Sequence, residues 1–336
     1  MSTRLNLNPF PRYTLLEGPT PIQHLARLSK TLGGAEIYVK RDDLTGLGCG
    51  GNKLRKLEFL VGAALAEGCD TIITVGARQS NHARLTAAAA ARAGLRCELV
   101  LTRTVPRFEP EYTDNGNILL DELLGAKVHD LPGGANAQAF AEARAEQLKA
   151  EGRKAYVCPV GGSSPLGCLG YADCAREIAE QSLAMGIAFD QIILPNGSSG
   201  THAGLVAGFV AMGLPTAPVV AFCVGSQPAQ VGPITHEKAQ LTAQLINPAL
   251  RVSEGDIRVD GSQLGEGYGI PTQAMLSAVR LLARTEGIVI DPVYGGKAFA
   301  GLVQGVADGS YGAGKNLLFL MTGGLPGLFA YRSAFL

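Results

Sequence analysis

A lysine does covalent chemistry only when its amine can shed its proton, and Lys53 sits where the sequence favours that state. Gly50-Gly51 lead into Asn52, a residue type that caps helices, and the helix read over residues 52–67 puts Lys53 in its first turn. An ammonium there faces the positive end of the helix dipole, which lowers its pKa. An amine so tuned suits Schiff-base formation with a carbonyl. A phosphate-loop reading does not fit, because the lysine is out of register with the Gly46 to Gly51 spacing and Leu54 stands where a hydroxyl is required. The neighbouring Arg55 and Lys56 read as a solvated helix face.

Five further segments carry polar groups in Gly-rich turns. Gly76-Ala77-Arg78-Gln79-Ser80-Asn81-His82 follows a β-branched run at 71–75. Ser80 or Asn81 there can cap the next helix. The same residues can form a polar platform, Asn81 toward a ring oxygen and Ser80 toward a carboxylate or a mobile proton. No G-x-S-x-G accompanies them, so a Ser-His-Asp hydrolase is poorly supported. Gly197-Ser198-Ser199-Gly200-Thr201 lies between a strand and a helix and combines backbone N–H groups, hydroxyls and a helix dipole, an anion site of the phosphate-cradling kind. It lacks the G-x-G-x-x-G spacing of a nicotinamide dinucleotide site. Gly267-Tyr268-Gly269 and Val293-Tyr294-Gly295 each set a tyrosine in a Gly-rich turn, placed to stack on a ring. Thr322, after the last strand, has a hydroxyl that could reach a ring nitrogen.

The elements that must position these groups alternate. Strands are expected near 36–40, 71–75, 97–101, 127–129, 155–158, 191–194, 219–224, 288–290 and 317–321. Helices are expected near 52–67, 81–93, 117–124, 137–151, 166–185, 201–212, 229–246, 272–285 and 296–307. Alternation predicts an α/β fold with parallel sheets covered on both faces, whose ligands bind at the carboxyl ends of the strands. At 336 residues the chain is long enough for about two domains. Lys and Arg number 29 against 29 Asp and Glu, so charge suggests no nucleic-acid or acidic-membrane partner. Seven cysteines without a C-x-x-C read as reduced, mostly buried thiols of a cytoplasmic protein, and neither they nor the five scattered histidines give a zinc site. The N-terminal residues lack a signal-peptide core, and no apolar stretch is long enough to span a bilayer.

Taken together, these segments resemble the D-cysteine desulfhydrase and 1-aminocyclopropane-1-carboxylate (ACC) deaminase family, within the fold type II, tryptophan-synthase-β-like enzymes that use pyridoxal 5'-phosphate. The resemblance runs from Gly18-Pro19-Thr20-Pro21 through Lys40-Arg41-Asp42-Asp43, Gly50-Gly51-Asn52-Lys53-Leu54-Arg55-Lys56, Gln79-Ser80-Asn81-His82, Gly197-Ser198-Ser199-Gly200-Thr201 and Asp291-Pro292-Val293-Tyr294 to Thr322-Gly323-Gly324. It implies two open, twisted, mainly parallel sheets flanked by helices. A large domain (1–53 and 165–336) and a small one (54–164) would hold the cofactor in the cleft between them, in a homodimer. It implies Lys53 as the Schiff-base lysine that moves the substrate Cα proton, and Asn81 on the phenolic oxygen. Gly197, Ser198, Ser199, Gly200 and Thr201 would hold the phosphate, with Thr322 at the ring nitrogen. Ser80, Tyr268 and Tyr294 would contact substrate, helped by Gln79 and Asn81.

The implied reaction is α,β-elimination from a small β-substituted amino acid, D-cysteine first, to pyruvate, ammonia and hydrogen sulfide. Arg78 keeps L-cysteate sulfo-lyase open, since a guanidinium suits a sulfonate. ACC deaminases carry Glu after the tyrosine of the Asp-Pro-Val-Tyr motif and an apolar residue near the ring nitrogen. Gly295 and Thr322 stand here instead, which argues against ACC as substrate. A non-catalytic cofactor- or amino-acid-binding module is the remaining alternative.

Overall fold

The computed structural model describes residues 5–336; residues 1–4, the start of the expected large domain and of the segment read for a signal peptide, lie outside them. Among the described residues the strands are β1 (Ile22–His24), β2 (Glu36–Arg41), β3 (Thr71–Ala77), β4 (Arg96–Thr102), β5 (Lys127–Leu131), β6 (Ala155–Cys158), β7 (Gln191–Asn196), β8 (Val219–Cys223), β9 (Val259–Asp260) and β10 (Asn316–Met321). They form two sheets. A six-stranded sheet has the order β1-β2-β10-β7-β8-β9, and a four-stranded sheet the order β5-β4-β3-β6. Every pairing is parallel except β1 with β2.

The central strands are nearly all apolar, as strands covered on both faces must be. Leu317, Leu318, Phe319, Leu320 and Met321 of β10 are all buried, odd and even positions alike. Leu318 and Leu320 join one core cluster, Leu317, Phe319 and Met321 the other, so β10 divides two layers of helix. The small sheet is covered in the same way by the helices Lys53–Ala66, Asn81–Ala93 and Ala137–Ala150.

The helix Lys53–Ala66 corrects one expectation. Arg55 and Lys56 are not on a solvated face: Arg55 is 2% exposed and Lys56 fully buried. The helix packs on Pro165–Met185 so closely that a Cβ on Gly170 would meet the Arg55 carbonyl at 2.1 Å, and residues 54–62 are all buried. Arg55 instead joins a buried charge cluster. It donates to Asp42 (2.8 and 2.9 Å) and to Glu177 (2.8 Å from each of two nitrogens), while Lys40 donates to Glu177 at 2.7 Å. Two cations face two carboxylates, which is what makes burying four charges tolerable.

Two smaller corrections follow. Asn52 makes no side-chain cap on that helix. Residues 288–290 are an irregular connector that pairs with no strand among the described residues, with Ile290 buried in the core. No helix of the described residues is long and apolar enough to cross a membrane, and none of their His, Cys, Asp and Glu side chains gather to hold a metal ion.

Candidate active site

The carboxyl ends of β3, β6, β7, β8 and β10 open on one cavity of about 470 Å³. Lys53, Ser80, Asn81, Gly197, Ser198, Ser199, Thr201, Tyr268, Tyr294 and Thr322 all line it. The β7 turn and the β3 turn come from different sheets, so the cavity lies between them.

Lys53 is the first residue of its helix, half-buried, and burial pushes its amine down to about 8. Both factors, desolvation and the helix end, act against the ammonium. Asn52 turns away from the helix and donates to Thr201 Oγ1 at 3.0 Å, tying the lysine turn to the glycine-rich turn after β7.

Ser199 takes a left-handed backbone (φ 69°) at the start of the helix Gly200–Ala211, whose first-turn N–H groups have no intrahelical acceptor. Behind the turn, Ser198 Oγ lies 2.8 Å from Ser163 Oγ, and Ser163 Oγ accepts from Lys56 Nζ at 2.9 Å. Lys238 donates to the Ser198 carbonyl at 3.0 Å. Gly200 does not line the cavity, but a Cβ there would meet Ser163 Oγ at 2.5 Å and Lys56 Nζ at 2.7 Å, so the close approach requires glycine. Burial, with Lys53 as the second cause, holds the Lys56 amine well below the ordinary lysine range. Ser163 lies in the Gly-rich turn 161–164 that follows a predicted strand, whereas nothing in the sequence singled out Lys238, and the signal for Lys56 was its place three residues after Lys53, on the same helix face.

Ser80 caps the helix Asn81–Ala93, its Oγ accepting from the Ala83 N–H at 3.1 Å, and it lines the cavity at the same time. The capping and functional readings of Ser80 are therefore compatible. Tyr268 and Tyr294 are half-buried, with hydroxyls 2.5 Å apart. Asp291 fixes the backbone beneath Tyr294, accepting from the N–H groups of Val293, Tyr294 and Gly295 at 2.7–2.9 Å.

Besides Gly200, two more expected site residues lie outside the cavity lining. Gln79 is buried with its amide spent on Tyr112 O, Asn115 O and Asn117 N. Arg78 pairs with Asp130 at 2.6 Å.

The cavity thus brings together an amine shifted toward its neutral form, a glycine-rich turn at a helix start and several hydroxyls, a set that suits a phosphorylated aldehyde. The chain matches the family model described as pyridoxal-phosphate dependent enzyme over residues 13–323. It is 43% identical to the D-cysteine desulfhydrase of Serratia proteamaculans (strain 568) over 333 residues, 99% of each chain. It is 41% identical to that of Salmonella choleraesuis (strain SC-B67) over 327 residues, 97% of this chain and 98% of the other. A crystal structure described as an ACC deaminase homologue superimposes with a TM-score of 0.87 at 40% identity, covering 98% of this chain and 96% of that one. An O-ureido-L-serine synthase with O-ureido-L-serine bound shares the fold at a TM-score of 0.67 and 20% identity, over 95% of this chain and 92% of that one. The chain belongs to the family of pyridoxal-phosphate dependent enzymes.

Proposed function

We propose that this enzyme is a lyase that eliminates the β-substituent of a small amino acid, with D-cysteine as its substrate and pyruvate, ammonia and hydrogen sulfide as its products. The observation that carries the reading is one cavity holding Lys53, Ser80 and the tyrosine pair, in a chain alike over its full length to D-cysteine desulfhydrases.

The residues present fit pyridoxal phosphate. Lys53 would hold its aldehyde carbon. The turn from Gly197 through Ser198, Ser199 and Gly200 to Thr201, open where side chains would clash, would hold its phosphate. Asn81 and Thr322 would meet its ring. When bound, the cofactor supplies the electron sink for the charge left at the substrate Cα.

The rest is the work of the chain. Lys53, depressed by burial, takes the Cα proton once its amine is free. Ser80 sits at the positive end of the helix Asn81–Ala93, where a substrate carboxylate is stabilised. Tyr268 and Tyr294 hold a proton for the leaving sulfur.

Gly295 supports elimination over cyclopropane opening. A Cβ there would meet Ile290 Cγ1 at 2.6 Å and Asp291 Oδ1 at 2.9 Å, so the position does not accommodate a glutamate. Arg78 gives L-cysteate no support, since its guanidinium is engaged by Asp130. The six buried free thiols suit the cytoplasm. Exposed Phe108, Leu119, Leu123 and Phe329, on segments near one another in the fold, suit a homodimer contact. The two sheets suit a large domain of 1–53 with 165–336 and a small one of 54–164.

The deciding experiment is pyruvate release from D-cysteine, L-cysteine, β-chloro-D-alanine and L-cysteate, with the corresponding 2-oxobutyrate assay for ACC. D-Cysteine and β-chloro-D-alanine should react. Turnover of ACC alone would overturn the reading.

A further inference from the structure

Asn81 lines the cavity from the start of the helix Asn81–Ala93, and its amide is gripped from behind. Asn117 donates from Nδ2 to Asn81 Oδ1 at 2.9 Å and to the Gln79 carbonyl at 3.1 Å. Arg84, three residues beyond Asn81 on the same helix, donates from Nη1 to Asn117 Oδ1 at 3.0 Å and from Nη2 to the Gly50 carbonyl at 2.8 Å. Both Arg84 and Asn117 are fully buried.

This guanidinium has no carboxylate within ion-pair distance among the described residues. A buried cation held only by a carbonyl and an amide is expensive, and burial pulls Arg84 down to about 10. What it does can be read from donor and acceptor counts. A guanidinium only donates. The Asn117 atom that faces it must therefore be the oxygen, which leaves the Asn117 nitrogen to donate to Asn81. Asn81 Oδ1 is thereby used, and the atom left to Asn81 on its other side is Nδ2, a donor with no protein acceptor among the described residues.

We infer that Arg84 and Asn117 form a polarity relay that fixes Asn81 as a hydrogen-bond donor in the cavity. The site thereby selects a ligand that presents an oxygen acceptor at that point, best of all an anionic aryl oxygen. Arg84 and Asn117 are positioning residues in this account, since neither lines the cavity. The contact with Gly50 adds a second function. One guanidinium holds both the turn leading into Lys53 and the amide that orients Asn81, so it sets the distance between the two groups that meet the same ring. The inference rests on the reading of the cavity as the cofactor site.

Asn117→Asp separates this from packing. It is isosteric and still accepts from Arg84, but it cannot donate to Asn81. The Asn81 amide should turn over to donate to the carboxylate introduced by that change and present its own oxygen to the cavity. Full-length wild type, Asn117→Asp, Arg84→Lys and Asn81→Ala are freed of cofactor and titrated with pyridoxal phosphate, following its affinity and the pH midpoint of its visible absorbance, with thermal unfolding alongside. Losing a donor to a charged oxygen weakens binding roughly tenfold or more. Asn117→Asp should show that loss and a midpoint moved to higher pH, as Asn81→Ala should, while Arg84→Lys, whose ammonium also only donates, should keep the Asn117 orientation and stay near wild type. If Asn81→Ala shifts both readouts while Asn117→Asp matches wild type, the relay is wrong and the site reading stands. If Asn81→Ala also matches wild type, the placement of Asn81 at the aryl oxygen is wrong and the relay falls with it.

Discussion

The hydroxyls of Tyr268 and Tyr294 lie 2.5 Å apart, with their rings edge to face and centroids 5.8 Å apart. Burial raises both phenols, Tyr294 well above its ordinary range, so both stay protonated near neutral pH. Only one of the two can donate to the other, so the pair keeps one hydroxyl proton free for the cavity. If that proton goes to the leaving sulfur, Tyr268→Phe and Tyr294→Phe should lower kcat for D-cysteine unequally. The donor's variant should lose about 100-fold or more, in the range of general acid catalysis. Chloride leaves without a proton, so β-chloro-D-alanine should be far less sensitive to either change. Equal losses with both substrates would remove leaving-group protonation from the tyrosines.

Lys53 gives a pH dependence with a definite sign. Only the neutral amine attacks an aldehyde. With the folded amine pushed down to about 8 by burial, its neutral fraction falls about tenfold for each pH unit below 8 and levels off above it. The rate at which cofactor-free protein takes up pyridoxal phosphate should follow that curve. An ordinary lysine would go on gaining rate toward about 10.5. Stopped-flow absorbance from pH 6 to pH 10 separates the two, and Lys53→Ala should show no visible band of a covalently attached cofactor.

Lys297 is a buried lysine with no carboxylate partner among the described residues, and it spends two donors on the Leu264 and Gly267 carbonyls, each at 2.7 Å. It thus holds the turn that carries Tyr268. Lys297→Met leaves two carbonyls unsatisfied, which costs about 2 kcal/mol or more, and frees the tyrosine from its partner. The expected outcome is a lower Tm together with a KM for D-cysteine raised about tenfold. A lowered Tm with unchanged kinetics would make Lys297 a stability residue only.

Much of this arrangement was legible from residue order. The strand, glycine turn and helix alternation predicted parallel sheets covered by helices, and the turns after β3, β7 and β10 bring Ser80, Asn81, Ser198, Ser199, Thr201 and Thr322 to the cavity. What stayed hidden depends on contacts far apart in sequence. Arg55 and Lys56 look like a solvated pair until the helix Pro165–Met185 covers them, a fact that rests on Gly170, over a hundred residues away. Residues 288–290 have strand composition, but whether a strand forms depends on a neighbour to pair with, which composition does not reveal. Asn52 has the right type for a cap, yet its own backbone is helical (φ −55°, ψ −22°), and its amide nitrogen donates to Thr201.

The buried cluster of Arg55 with Asp42, Glu177 and Lys40 sets a stability expectation. Removing one member strands the others, which typically costs about 3–5 kcal/mol. Arg55→Ala should lose stability in that range by chemical denaturation, while Arg78→Ala, which breaks a half-exposed pair, should lose about 1 kcal/mol or less. Arg78→Ala should also leave D-cysteine turnover unchanged, because that side chain is outside the cavity lining.

Gly295 tests the boundary with ACC chemistry. Its missing side chain is occupied space: a Cβ would meet Ile290 Cγ1 at 2.6 Å, Ile290 Cδ1 at 2.7 Å and Asp291 Oδ1 at 2.9 Å. Gly295→Glu therefore overpacks a filled site and sets a second carboxylate beside Asp291, whose own carboxyl burial already raises to about 6. The expected cost is about 1–3 kcal/mol from overpacking, with reduced D-cysteine turnover and no ACC activity. Trimming the neighbour in Ile290→Ala, Gly295→Glu should recover part of that stability, because the clash is steric at two of its three contacts. A Gly295→Glu protein with wild-type Tm and new ACC turnover would show that the glycine is a choice of chemistry alone and not a demand of packing.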